Sequence, residues 1–280
     1  MTTLVTATPI KLDRINMRAA LFALLLFTPL LSQAQETLRA SFAEPDQPMH
    51  VVARTIYGNI EVSVHEEQDV SIEIFERPRE TAESSRPRQD NLRRVDQGAN
   101  VTLDENDNTI VVKAGSEDRY TDLHVWIPRN SDLSVHITGE GDILVTGVSG
   151  EMEVNAANGS IALEELSGPV VAHAHAGNLT ATFESITDAR PMAFSSWSGD
   201  VEVTLPSQVS AKLKMRTDHG EILSEFDLSG TVASLENVGD DGRQRLRSFT
   251  YATINGGGPE YLFQNYSGDI VIRKRSSATP

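Results

Sequence analysis

Glycine recurs every nine residues through the middle of the chain, at Gly141, Gly150, Gly159, Gly168 and Gly177. After most of these glycines comes a short polar or acidic residue and then alternating apolar positions: GDILV from Gly141, GEMEV from Gly150, GSIAL from Gly159, GNLTA from Gly177. Each unit reads as one turn plus one strand. A strand alternating with period two buries only one face and is unstable alone, whereas stacked copies bury a continuous apolar column. Glycine supplies positive-φ or bulge geometry at each corner. Looser copies follow as GDVEV from Gly199, GEILS from Gly220 and GDIVI from Gly268, with GNIEV from Gly58 ahead of the regular block. The repeat predicts an all-β chain coiled as a β-solenoid, β-helix-like, from nine-residue strand-turn units with two strands per coil.

Stacked positions should share chemistry down each column. Aligned on Gly159, Gly177, Gly199 and Gly220, one column reads Val154, Ala172, Phe194, Met215 and a second reads Met152, Val170, Met192, Leu213. Two residues past the glycines come Ile161, Leu179, Val201 and Ile222. These are the expected core columns. The intervening columns, Asn155, His173, Ser195, Arg216 and Ala157, His175, Trp197, Asp218, should face outward.

Residues 1–34 read as a secretory signal peptide. Lys11, Arg14 and Arg18 precede the apolar run Ala19 to Leu31, and Ser32-Gln33-Ala34 offers small residues for cleavage. That run is shorter than the ~20 apolar residues that span a bilayer. The remainder is expected to be exported, periplasmic or extracellular, without a membrane span. Residues 35–48, with Pro45 and Pro48, read as a lead-in segment, and 49–273 as the solenoid domain. Within it, 77–100 is polar and nearly devoid of apolar residues, which predicts a mobile insertion. That stretch is locally basic through Arg77, Arg79, Arg86, Arg88, Arg93 and Arg94, a charge suited to an acidic partner. Residues 274–280 read as a disordered tail.

No cysteine is present, so stability rests on the stacked core rather than on disulfides. The chain carries a formal charge of −16, and the leader's three cations against Asp13 leave −18 on the remainder. Such an excess argues against nucleic acid and anionic lipid as partners. Three acidic turns invite a comparison with calcium sites: Gly139 to Asp142, Asp104 to Asn108 and Asn237 to Gly242. The positions after the next glycines are Glu151, Ser160, Pro169 and Asn178, so the stacked carboxylates of a calcium ladder are missing. Asp104 to Asn108, flanked by Val101, Leu103, Ile110 and Val112, reads as a hairpin turn. No metal and no cofactor is assigned.

The glycine, polar, apolar, x, apolar units at Gly58, Gly141, Gly159, Gly177, Gly199, Gly220 and Gly268, behind a signal peptide, resemble a family of exported bacterial domains of unknown function. Those domains are described as adhesins with β-strand repeats, related to the heads of auto-transporter-type adhesins. The resemblance covers residues 50 to 273 and implies an extracytoplasmic β-solenoid with a role in adhesion. It carries no catalytic residues across.

The outward columns bring His173 and His175 on one strand near Ser195, Trp197, Arg216 and Asp218 on neighbouring coils. Three readings compete for this patch: an ordinary solvated strand face, a surface on which Trp197 is a platform for a sugar or peptide, and a catalytic or metal site. Catalysis would need an acid and a base converging on one groove, and no convincing pair of carboxylates shares a face. The expected function is therefore non-catalytic adhesion, binding or scaffolding at the cell envelope. An envelope glycan or protein is the expected partner, and the solenoid ends offer a route to self-association. The alternative is a carbohydrate-active enzyme on the same scaffold.

Overall fold

The computed structural model describes residues 36–44, 47–79, 101–116, 118–237 and 246–276; the proposed leader lies outside them. The leading strands are β1 (Glu36–Ser41), β2 (His50–Thr55), β3 (Ile60–His65), β4 (Asp69–Pro78), β5 (Thr102–Asn106), β6 (Thr109–Lys113) and β7 (Arg119–Pro128). The glycine block supplies β8 (Asp132–Glu140), β9 (Ile143–Thr146), β10 (Met152–Asn158), β11 (Ile161–Leu166), β12 (Val170–Ala176) and β13 (Leu179–Phe183). It continues as β14 (Met192–Ser198), β15 (Val201–Leu205), β16 (Ala211–His219) and β17 (Ile222–Ser224). The last strands are β18 (Ser229–Asn237), β19 (Leu246–Ile254), β20 (Glu260–Ser267) and β21 (Ile270–Lys274). Among the described residues there is no helix.

Even-numbered strands from β8 to β14 lie in one 11-stranded sheet and odd-numbered strands from β9 to β15 in a 10-stranded sheet. The chain thus crosses from sheet to sheet at every glycine corner. Within each sheet these neighbours run parallel: Met152 pairs with Val170 and Val154 with Ala172, while Ile143 pairs with Ile161 and Ile161 with Leu179. The inward residues of both sheets form one apolar core, with Val154, Phe194, Leu163, Val203 and Phe263 all at 0% exposure. Every position of the three expected core columns is buried except Ile222, which is partly buried on the three-residue edge strand β17.

Two nine-residue units make one coil, so alternate glycines stack at the same corner. A methyl group added to Gly159 would land on the carbonyl oxygen of Gly141, and one on Gly177 would land on that of Gly159. At the opposite corner Gly168 stands over Gly150 in the same way. The repeat therefore records the close approach of stacked backbones more than turn freedom.

The polar residue after each glycine has a matching task. The amide of Ser160 donates to Asp142 Oδ1 at 2.7 Å, that of Asp200 to Asn178 Oδ1 at 2.9 Å, and that of Asp142 to Asn59 Oδ1 at 3.0 Å. Asn59, Asp142 and Asn178 thus each satisfy an amide that the corner takes out of the ladder, as Asp200 and Asp269 do further along the stack. Asp142, in the first calcium-like run, belongs to this ladder. In the second run Asp107 and Asn108 form the β5–β6 turn at φ 48° and 57°. The Asn108 amide nitrogen donates to the carbonyls of Glu44 (3.0 Å) and Pro48 (2.9 Å). The third run lies outside the described residues beyond Asn237.

Stacking order departs from chain order at one place. Expectation set the Gly220 coil directly on the Gly199 coil, but β20 and β21, from the end of the chain, run between them. Phe194 pairs with Phe263, and Phe263 with Met215; Val201 pairs with Ile270, and Ile270 with Ile222. The glycine column follows the same order, since a side chain on Gly268 would meet Gly199 and one on Gly220 would meet Gly268. The Phe194 and Phe263 rings stack in the core at 5.4 Å, filling the layer with a larger apolar pair than Phe194 and Met215 would make.

Segment boundaries shift at the other end. The lead-in contains strand β1, which pairs antiparallel with β4. The stretch read as a mobile insertion begins as structure, because β4 runs to Pro78 and Arg77 holds Asp122 at 3.3 Å. The Arg79 guanidinium lies 3.7 Å over the Tyr57 ring. Residues 80–100 lie outside the described residues.

Candidate functional site

Strict alternation in VVAHAHA and MAFSSWS sends Ala172, Ala174 and Phe194 inward and His173, His175, Ser195 and Trp197 outward. Parallel register then sets His173 beside Ser195. His173 Nδ1 and Ser195 Oγ are hydrogen-bonded at 2.8 Å. His175 stacks on Trp197 at 6.2 Å between centroids and 17° between planes. Trp197 in turn stacks on Tyr266 of the intercalated strand at 4.2 Å and 8°. At that separation the two rings overlap face to face and project from the sheet as one rigid ridge. Trp197 is 50% exposed and Tyr266 39%.

Beside the ridge lies a depression of about 150 Å³. His173, Ser195, Trp197, Arg216 and Asp218 line it, so five of the six expected patch residues converge, and His175 joins through its stack on Trp197. Two corrections apply. Arg216 and Asp218 are not on the strand next to Trp197; β20 intervenes and contributes Gln264, Asn265 and Tyr266. Arg216, expected to face water, is 8% exposed and ion-paired with Asp218. The extra strand β19 pairs with β16 and brings Phe249 to 5.9 Å from the Arg216 guanidinium, which takes the cation's stem out of solvent.

The three residues on β20 that the repeat did not reveal had a sequence signal. Trp197-Ser198-Gly199-Asp200 and Tyr266-Ser267-Gly268-Asp269 share an aromatic-Ser-Gly-Asp corner, whereas Gly220 is preceded by His219 and followed by Glu221. The closer match marks the true neighbours.

Lost hydration, and secondarily the repulsion of His175, holds His173 below the usual imidazole value. His136, on the same outward column, is lowered by burial first and then by Arg54, against an opposing pull from Glu153. The unfolded chain therefore takes up protons at these sites before the folded protein does. Stability is fully present above about pH 6.5 and is lost as pH falls through that value toward the lowered folded ones. We expect the melting temperature to fall between pH 7.5 and pH 5, and His173→Gln to lessen the fall. An unchanged pH slope in that variant would contradict this.

The opposite sheet carries a second, broader groove of about 710 Å³. Phe75, Leu144, Glu61, His124, Asp122 and Asp142 line it. Its carboxylates are largely engaged: Glu61 meets His124 at 3.1 Å, Asp122 accepts the Asn59 amide at 2.7 Å, and Asp142 serves the corner ladder. Sequence columns missed this groove because the antiparallel pairing of β4 and β7 lies outside the repeat. One trio, His65, Glu67 and Asp69, has ligand atoms within 4.8 Å of one another. Arg39 lies 3.5 Å from Glu67 and 3.6 Å from Asp69, so a guanidinium already supplies the positive charge there.

One solved structure similar to this chain is a putative cell adhesion protein from Clostridium sporogenes, 10% identical over 86% of this chain and 100% of the other, with a TM-score of 0.42. A second is a putative adhesin from Bacteroides fragilis, 8% identical over 86% of this chain and 98% of the other, with a TM-score of 0.30. No curated protein sequence matches the chain. The Toastrack DUF4097 family profile matches residues 119–273, more than half of the chain and nearly all of the glycine-cornered stack. The chain belongs to the Toastrack DUF4097 family.

Proposed function

We propose that this protein is an exported, non-catalytic β-solenoid of two strands per coil that binds or scaffolds at the bacterial cell envelope. The observation that carries the reading is the exposed Trp197–Tyr266 ridge beside a polar depression on a sheet face. Large rings left half in water, on strands whose other face is locked into the core, suit a surface built for contact. Rigid display is the mechanism: outward side chains stand at fixed spacing along the stack and meet a partner without reordering. The leader and the resemblance to adhesin domains support export and location outside the cytoplasm. Kinship with auto-transporter heads rests on the repeat alone. Among the described residues no helix is long and apolar enough to cross a membrane.

For self-association, the end carrying β17 and β18 is the better candidate. Val232 is 58% exposed and Leu223 47% there, whereas edge strand β5 at the other end carries Asp104 and Glu105, which discourage pairing. Enzymatic cleavage of a glycan has less support. Asp218 is the one carboxylate lining the depression, and it is held by Arg216.

Co-sedimentation of the chain with cell-wall and outer-membrane fractions tests the reading. We expect the protein in the pellet, and Trp197→Ala in the supernatant. That variant loses its stacks on His175 and Tyr266, worth about 1 kcal/mol each, and remains folded. Equal pelleting of the variant and the parent, or no pelleting of either, would overturn the assignment.

A further inference from the structure

Three properties of the depression define the chemistry it can accept. The first is charge balance in a strongly acidic protein: the Arg216 guanidinium is matched by Asp218, and the other outward side chains around the depression are His173, Ser195, Trp197, Gln264 and Tyr266. A phosphate or carboxylate would have to displace Asp218 from Arg216, and a cation would have to displace Arg216 from Asp218; both leave a half-buried charge uncompensated. A neutral ligand disturbs neither.

The second is a floor pinned from the core side. Asn265 is 1% exposed and follows Ala174 and Ser196 in the inward column. Its amide nitrogen donates to the carbonyls of Gly199 at 2.8 Å and Asp269 at 3.4 Å, and Ser196 donates to Gly177 at 3.0 Å. These bonds fix the strands beneath the depression, so the outward side chains of β14 and β20 hold their spacing and meet a ligand without reordering.

The third is shape. A volume of about 150 Å³ falls well below the 300–1,000 Å³ that engulf a drug-sized ligand, so it takes one ring of a larger molecule. The Trp197–Tyr266 ridge forms one apolar wall, while Ser195, Gln264 and Asp218 present polar groups. Backbone groups of β12, β14 and β20 are paired on both sides, so the floor of the depression cannot recruit a peptide by strand addition and reads side chains only.

We propose that the depression between the Trp197–Tyr266 ridge and the Arg216–Asp218 pair is a binding site for one neutral pyranose residue of a glycan. The C–H face of the sugar packs on the exposed rim of the ridge, and its hydroxyls bond Ser195, Gln264 and Asp218. Because Trp197 is stacked between His175 and Tyr266, the sugar meets its edge and the uncovered part of Tyr266, and a single residue binds weakly, at about millimolar Kd. Repetition of the sugar along a polymer, with several protein copies, raises the effective affinity. This inference rests on the binding reading above and names its ligand class.

Ligand-observed NMR on the whole chain provides the test, using methyl glucoside, methyl galactoside and N-acetylglucosamine as neutral probes, and glucuronate and glucosamine as charged ones. At least one neutral probe should show saturation transfer, reduced at least tenfold in both Trp197→Ala and Gln264→Ala, with melting temperatures confirming that both variants fold. The same probe should release the protein from envelope pellets. Stronger binding of a charged probe, no binding of any neutral probe, or binding unaltered in both variants would overturn the proposal. Pelleting that persists against the neutral probes would sink the sugar assignment and leave the envelope reading standing; sugar binding without pelleting would do the reverse.

Discussion

Gly199→Ala is expected to destabilise the protein by about 4 kcal/mol, the sum of backbone strain and overpacking at a site that tolerates neither. Gly199 sits at φ +135°, and a side chain there would collide with the Gly177 carbonyl. That carbonyl cannot withdraw, since the Gly177 amide is tied to the Ser198 carbonyl at 2.8 Å and the corner is fixed by layers on both sides. For a domain of this size the loss corresponds to a fall in melting temperature of roughly 10 °C. Gly230→Ala is the control: its φ is also positive, +65°, but nothing lies within 4 Å of the added methyl. It should lose only about 1 kcal/mol, the cost of a left-handed alanine. Equal losses would show that conformational freedom, and not stacking, is what the repeat preserves.

Ending the chain after Gly257, which removes β20 and β21, should have the larger structural consequence. Those two strands are hydrogen-bonded to β14 and β16 in one sheet and to β15 and β17 in the other, so their loss severs β16 to β19 from the stack. It also removes Phe263 and Tyr261, both essentially inaccessible to solvent, from the core. Truncating even one such aromatic to alanine costs about 3–5 kcal/mol. In hydrogen exchange, β8 to β13 should keep their protection in the shortened chain while β16 to β19 exchange like unfolded peptide. Retained protection in β16 to β19 would mean that the Gly220 coil can close onto the Gly199 coil, as chain order suggests.

That contrast shows what the sequence made legible. Nine-residue spacing and period-two alternation are local, so the corners, the inward columns through Val154, Ala172, Phe194 and Met215, and the outward face with His173, Ser195 and Trp197 follow from counting along the chain. Which coil lies on which is a non-local fact. A stack of similar coils accepts several orders, and the order is set by core fit at Phe194 and Phe263 and by the shared aromatic-Ser-Gly-Asp corner. Tyr266, Gln264 and Asn265 were hidden for this reason. Arg216 was misassigned for another: its column is outward, but β19 crosses beside it and Phe249 shields it, and nothing in the spacing of the repeat reports a hairpin from outside it. The groove under Phe75 and His124 depends on antiparallel pairing between β4 and β7, with the stretch from residue 80 to 100 lying between them in the chain.

Strands β20 and β21 intercalate between the Gly199 and Gly220 coils and so complete the candidate site. This order can be tested in this cysteine-free protein by paired substitutions at outward positions, followed by mild oxidation. Ala193 pairs directly with Leu262, and Leu262 with Lys214. Adjacent strands lie ~4.8 Å apart, inside the range of Cα separations that a disulfide spans, while strands twice removed lie ~9.6 Å apart, beyond it. Ala193→Cys with Leu262→Cys should therefore cross-link in the folded protein, and Ala193→Cys with Lys214→Cys should not. Efficient cross-linking of the second pair in place of the first would restore chain-order stacking and take the Trp197–Tyr266 ridge, and the function proposed for it, away.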